Sequence, residues 1–356
     1  MSEDWKTRLA EGPLSAVRAL ESCTAGELTL LTENYAFRGA LAAACKELTE
    51  RAGAGKDRTA LAEMHELLAL IYDRDFSGVV IAEVDHERAP LLRDVAAILE
   101  AAMLGEEAAR IDEETVTGYP TSGTEYVRWL KNLVNDHPAG RHPLYHEHIE
   151  QRGTREDLRL LLAQETSLDP RFDDILASMQ MGRTGGEKME IAANYWDEMG
   201  NGDAGMVHTS LFSQALESIG ADPDFIRDSF MLEAGICGNL SACLGLARRH
   251  YYKAVGYFGV TEYLAPRRFR CVVDTWRRLG LHEVGITYHD LHIGIDAGHA
   301  SGWFKNVVAP LVDSDPLIGR DIALGAMIRL NTSQDYLDEL LRRMRDRSPV
   351  AVGAQA

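Results

Sequence analysis

Near the C-terminus the stretch HDLHIGIDAGHASGWF sets His292, Asp296 and His299 in an H-x3-D-x2-H array. On a helix these positions fall at about 0°, 40° and −20°, so the three side chains leave one face within a narrow arc. Two imidazoles and a carboxylate placed this way supply up to three ligands for a transition metal such as iron. His289 and Asp290 offer a rival frame, but a turn of about 100° per residue carries Asp290 well off that face. The small residues Gly294, Ala297, Gly298 and Ala300 fit a helix packed closely against its neighbours.

Three donors leave a metal site short, so further donors must come from other helices. Glu165 closes LRLLLAQE, and Leu158, Leu161 and Leu162 lie near it on the helical wheel. Its carboxylate is expected on a core-facing stripe, where burial is costly without a partner or a metal. Glu198 ends EIAANYWDE, and His208 opens the next helix after GNGDAG. Their spacing would not keep them on one face of a straight helix, whereas the glycine-rich break lets both turn inward. Six donors result: Glu165, Glu198, His208, His292, Asp296 and His299. Three imidazoles and three carboxylates suit two irons with open positions for O2.

Each residue also has an ordinary reading. A helical His-x3-Asp is often a local hydrogen-bonded pair. Glu165 and Glu198, taken singly, are helix-end carboxylates facing water, and His208 singly is a cap or a satisfied, partly buried histidine. The metal reading rests on the whole set. Elsewhere, His146, Glu147, His148 and Glu150 form a cluster expected in a polar access loop rather than on a metal. Glu83 and His86 make an E-x-x-H pair; ferritin-type bundles need two such pairs, which disfavours that architecture. GRTGGEK lacks the phosphate-loop spacing and follows no strand signal.

The elements that must position these residues read as helices almost throughout, because Ala, Leu, Glu and Arg dominate and β-branched alternation is rare. Helical pattern covers 14–53 and 57–73, split by AGAGKD, and then 86–104 and 124–135. Residues 135–154, with two prolines and several turn formers, read as a loop and as the best domain boundary. A capped helix follows at TREDLRLLLAQET. Helices continue through DDILASMQM, EKMEIAANYWDEM, MVHTSLFSQALESIG, 225–264 and 266–279. The motif helix is expected from about 283 to 311 and a last helix over 315–346, ahead of a frayed tail. Tyr195, Trp196, Trp303 and Phe304 are expected as core or pocket walls.

A chain of 356 residues with 46% hydrophobic content can bury a substantial core. Its net charge of −18 repels phosphate backbones and anionic lipids, which argues against nucleic-acid or membrane partners. The five cysteines form no C-x-x-C pair. With a polar N-terminus and no apolar run of about 18 residues, they point to reduced thiols in a cytoplasmic protein.

LLAQE, then DEMGNGDAGMVH, then H-x3-D-x2-H, in this order, resemble the haem-oxygenase-like diiron oxidase and oxygenase family. The similarity runs over roughly 135–311, and RHPLYHEHIEQ resembles the opening segment of the family's larger members. The resemblance implies an all-α, haem-oxygenase-like seven-helix bundle over 136–350, with residues 1–135 as an additional N-terminal helical region. It implies that Glu165 comes from the first core helix, Glu198 and His208 from the second region, and His292, Asp296 and His299 from the third helix. Some members carry an extra carboxylate ligand three residues before the second-region histidine; that position here is Gly205, with Asp203 nearby. The implied activity is oxidation of a small molecule by two irons and O2, with electrons from an external donor, and N-oxygenation of an amine or amidine in specialised metabolism is the leading expectation. Oxidative C–C cleavage, decarboxylation or desaturation of an amino acid or fatty acid is the alternative, with Arg329 as a candidate carboxylate clamp. A non-catalytic helical metal-binding or interaction protein is the reading from another class. A homodimer is expected, assisted by the N-terminal region.

Overall fold

The computed structural model describes residues 3–20, 22–53, 57–78 and 89–347, and among these there is no strand. The chain is all-α. Glu83, His86 and the C-terminal tail lie outside the described residues. The fold divides into two compact units, Met1–Arg110 with Gly238–Cys243, and Ile111–Cys237 with Leu244–Ala356. This contact division falls at Arg110, whereas the composition boundary near 135 follows the prolines.

In the first unit the helical pattern of 14–53 is broken twice, giving Pro13–Leu20, Ala25–Glu33 and Tyr35–Gly53. Thr24 explains the first break: it caps the second of these helices in a reciprocal box with Glu27. Asp57 caps Arg58–Phe76 through the amides of Thr59 and Ala60. Leu41, Leu48, Leu67, Leu68 and Leu99 pack the core. Two polar contacts lie inside it: the Tyr72 hydroxyl donates to Glu100 at 3.0 Å, and Asn239 Nδ2 donates to the His65 carbonyl at 2.8 Å.

In the second unit six helices carry the candidate site: α1 (Arg155–Glu165), α2 (Gly185–Glu198), α3 (His208–Ile219), α4 (Tyr251–Arg278), α5 (Thr287–Gly302) and α6 (Ile318–Arg347). The α1 start is set by Thr154 and Asp157, which cap each other's backbone amides. Leu158, Leu161 and Leu162 of α1 are fully buried, as their spacing requires. α4 and α6 approach backbone to backbone: a Cβ on Gly256 would sit 1.9 Å from the Ile322 carbonyl oxygen, and one on Gly325 would sit 1.9 Å from that of Lys253. Only glycine permits this contact.

Two sequence expectations about elements are corrected here. Residues 135–154 are not a loop; they form a 3-10 turn (Pro138–Arg141), a π-helical turn (Leu144–Ile149) and a helical turn (Glu150–Arg152). His137 and His142 each accept an amide two residues on, which supplies the turn chemistry between these pieces. The break expected before Pro266 is also absent. Pro266 lies inside α4, and the cost is one missing amide that would have bonded the Glu262 carbonyl. The observed break falls at 247–250, between Leu232–Leu246 and α4.

All five cysteines are buried. Among the described residues no single helix is long and apolar enough to cross a membrane.

Candidate metal centre

α5 presents His292, Asp296 and His299 to the interior, with exposures of 4–5%. Asp290 turns outward and pairs with Arg277 at 2.9 Å, as the wheel requires. Gly294, Ala297 and Gly298 are exposed rather than packed. They lie on the face opposite the donors, so only Ala300 of that small-residue set meets a neighbour in the core.

α2 ends at Glu198 and α3 begins at His208. Between them Gly200, Asn201 and Gly202 all take positive φ, through two 3-10 turns. This backbone route, cheap for glycine, reverses the chain and aims both flanking side chains inward. Glu198 Oε2 lies 2.7 Å from His208 Nδ1, and Glu198 Oε1 lies 3.8 Å from His292 Nε2. Glu198, His208 and His292 thus form a first buried donor group. Asp203 accepts the Gly205 amide at 2.9 Å on the exposed turn. Asp203 belongs to neither buried donor group.

A second buried group consists of Glu262, Asp296 and His299. His299 Nδ1 lies 3.6 Å from Glu262 and 3.8 Å from Asp296. Glu262 comes from α4, and nothing in the motif spacing points to it. Its sequence signal is chemical: it is the one carboxylate in the apolar run AVGYFGVTEYLA, and a charge there needs a partner.

Glu165 is not drawn into either group. α1 ends at this residue, and its carboxylate lies 3.0 Å from Nε2 of the fully buried His289. Asp169, on the 3-10 turn that follows, is closer to the centre. It lines a cavity of about 40 Å³ together with Glu198, Glu262, His292 and Asp296, walled by Phe172, Phe269 and Tyr288. Asp169 Oδ2 is buried without a hydrogen-bond partner. Arg329 does not line this cavity; its Nε donates at 2.9 Å to Thr261, which does. Trp303 and Phe304 are core residues, whereas Trp196 is 52% exposed.

The electrostatics are those of an acid cluster short of cations. Among the described residues the ion-pair partners of Glu198, Glu262 and Asp296 are all histidines. Burial, then the charges of Glu262 and Glu198, push the Asp296 carboxyl well above the usual range. Burial and the neighbouring Glu165 and Glu198 do the same to Asp169. Burial alone would raise Glu198, but the facing imidazoles of His208 and His292 overcome it and hold that carboxyl at about 2. His299 is displaced the other way: burial lowers it, yet Glu262 and Asp197 win and raise it to about 9.

The histidines are also held in orientation. His292 Nδ1 lies 2.7 Å from the Tyr288 carbonyl, which fixes the tautomer and leaves Nε2 facing Glu198. His299 Nε2 lies 2.9 Å from Asp197, leaving Nδ1 toward Glu262 and Asp296. Metal-binding imidazoles are commonly anchored in this manner by an oxygen on the far nitrogen. Glu262 Oε1, His208 Nδ1 and His299 Nδ1 are buried atoms with no hydrogen-bond partner. Imidazole and carboxylate donors, converging and under-satisfied, fit iron.

Residues 159–334 match the sequence profile of a family described as iron-containing redox enzymes. This part of the chain belongs to that family. The matched stretch holds both donor groups, Glu165, Asp169 and Asp197. Membership makes the protein an oxidoreductase of the iron-containing class. No curated protein matches the chain.

Proposed function

We propose that the protein is a non-haem diiron oxygenase that uses O2 to oxidise a small metabolite. The observation that carries this reading is the meeting of two buried three-donor groups at one cavity, with Glu198 and His292 from one and Glu262 and Asp296 from the other on its wall. Glu198, His208 and His292 would hold one iron, and Glu262, Asp296 and His299 the other. Two irons, when bound, supply O2 activation, with electrons drawn from an external donor. The chain's own contribution is to orient the imidazoles through Asp197 and the Tyr288 carbonyl. Phe172, Phe269 and Tyr288 screen the centre from water.

Within this reading the favoured chemistry is N-oxygenation of an amine or amidine, in the setting of specialised metabolism. Asp169 supports it: a cavity-lining carboxylate outside both donor groups is a natural partner for a cationic nitrogen. A cavity of about 40 Å³ also suits a small group better than a long acyl chain. A second reading, oxidation of a carboxylate-bearing substrate with C–C cleavage, draws on Arg329, whose guanidinium meets the cavity wall through Thr261.

Anaerobic reconstitution with ferrous iron followed by O2 and a panel of amines and amino acids tests the proposal. The expected result is close to two irons per chain and a hydroxylamine or nitro product. Loss of carboxylate or a cleaved carbon fragment selects the second reading. No iron uptake sinks both and leaves a helical scaffold.

A further inference from the structure

A third cluster stands apart from every donor discussed above. His146 and Glu150 are one helical turn apart, where the π-helical turn Leu144–Ile149 runs into Glu150–Arg152. Cys271 projects toward them from α4. Its Sγ lies 3.4 Å from His146 Nδ1 and 3.7 Å from Glu150 Oε2, and those two atoms are 3.2 Å apart. Tetrahedral zinc holds sulfur at about 2.3 Å and nitrogen or oxygen at about 2.0–2.2 Å, which sets donor–donor edges of about 3.3–3.7 Å. The observed triangle has those dimensions to within about 0.1 Å.

We propose that His146, Glu150 and Cys271 form a binding site for a thiophilic divalent cation of the zinc class, separate from the candidate iron residues. The donor set is what separates this from a plain hydrogen-bonded trio. A thiol is a weak hydrogen-bond donor, whereas sulfur, imidazole and carboxylate together are a zinc set. Access is open on one side: the His146 and Glu150 side chains are 57% and 45% exposed, while Cys271 is buried beneath them. A hydrated ion can therefore arrive from solvent and keep water as its fourth ligand. Without an ion, burial and the carboxylates of Glu150 and Asp274 push the Cys271 thiol up to about 12. Those same carboxylates attract a divalent cation, and coordination expels the thiol proton to the buffer. The bound ion ties the 144–152 segment to α4, the helix that carries Glu262.

Cobalt(II) titration of the full-length, metal-stripped protein tests this, because a thiolate bonded to cobalt absorbs in the near ultraviolet and neither iron donor group contains sulfur. The expected result is a thiolate band whose full intensity corresponds to one thiolate-bound cobalt, beyond any cobalt held by the two sulfur-free groups, and which zinc bleaches. Cys271→Ala and Cys271→Ser should abolish the band while iron uptake stays at the wild-type level. His146→Ala and Glu150→Gln change exposed side chains, so they remain informative if the cysteine variants fail to fold; each should weaken cobalt binding at least 10-fold. Absence of a thiolate band at saturating cobalt overturns the site. A band that persists without Cys271, or that is indifferent to both His146 and Glu150, overturns it equally.

Discussion

The two donor groups share α5 but are built differently. Glu198 and His208 flank one glycine-rich reversal, so local chain geometry brings them together, and two imidazoles face one carboxylate. Glu262 reaches Asp296 and His299 from another helix, so helix packing assembles that group, and one imidazole faces two carboxylates. The electrostatic outcome differs accordingly. Glu198 stays ionised at about 2, while Asp296 is pushed far up. The first group is nearly satisfied by its own histidines. In the second, protons on Asp296 and His299 offset the charge, and a bound cation would take their place.

The largest effect should come from removing one donor of either group. Glu262→Gln and His299→Ala should each lose one of two iron equivalents, and His292→Ala the other. Turnover should fall by more than about 100-fold, beyond the 10–100-fold typical of outer partners. Iron per chain, measured after reconstitution, checks this. Two irons retained in Glu262→Gln would return Glu165 to the ligand set and undo the contrast drawn above.

The same contrast explains what the sequence could carry. The shared inward face of His292, Asp296 and His299 was legible because helical periodicity is local and three spacings suffice. The inward turn of Glu198 and His208 was legible because glycines mark a reversal. Glu262 was hidden because its partners lie on α5, and packing between helices has no spacing rule. Glu165 shows the limit of periodicity: the leucine stripe turns it toward the core, where it meets His289, but spacing names no partner there. The fold class was legible from composition and period. The 138–152 segment was not, because prolines are compatible both with a loop and with the short helical turns seen.

The next prediction separates the groups by pH in metal-free protein. Glu198 sits at about 2 in the fold against 4.5 in the reference state. A lowered acid contributes stability that is present above pH 4.5 and lost as pH falls through 2, on the order of 3 kcal/mol. Asp296 has the opposite sign: its raised value makes a contribution present at low pH and lost as pH rises through the folded value. In chelator-treated protein near neutral pH, Glu198→Gln should therefore destabilise and Asp296→Asn stabilise, by chemical denaturation. The same sign for both would refute the charge asymmetry.

A smaller effect is expected one contact further out. Asp197 holds His299 through Nε2, whereas a main-chain carbonyl holds His292. Asp197→Asn keeps the shape and removes the charge. It should weaken iron at the second group by about 10-fold and leave the first unchanged. Loss at the first group instead would mean that Asp197 does not act through His299.

The smallest effect concerns the one cavity carboxylate outside both groups. Asp169 has a buried, unpartnered oxygen and no histidine in ion-pair reach among the described residues. If it meets a cationic nitrogen, Asp169→Asn should raise KM for an amine substrate by about 10-fold, the loss of one charge-assisted hydrogen bond. The iron content should stay at two, and kcat should change little, because binding rather than chemistry is touched. Iron content is the sharper readout of the pair. A drop to one iron would make Asp169 a ligand of the centre, and the substrate-recognition role would pass from it.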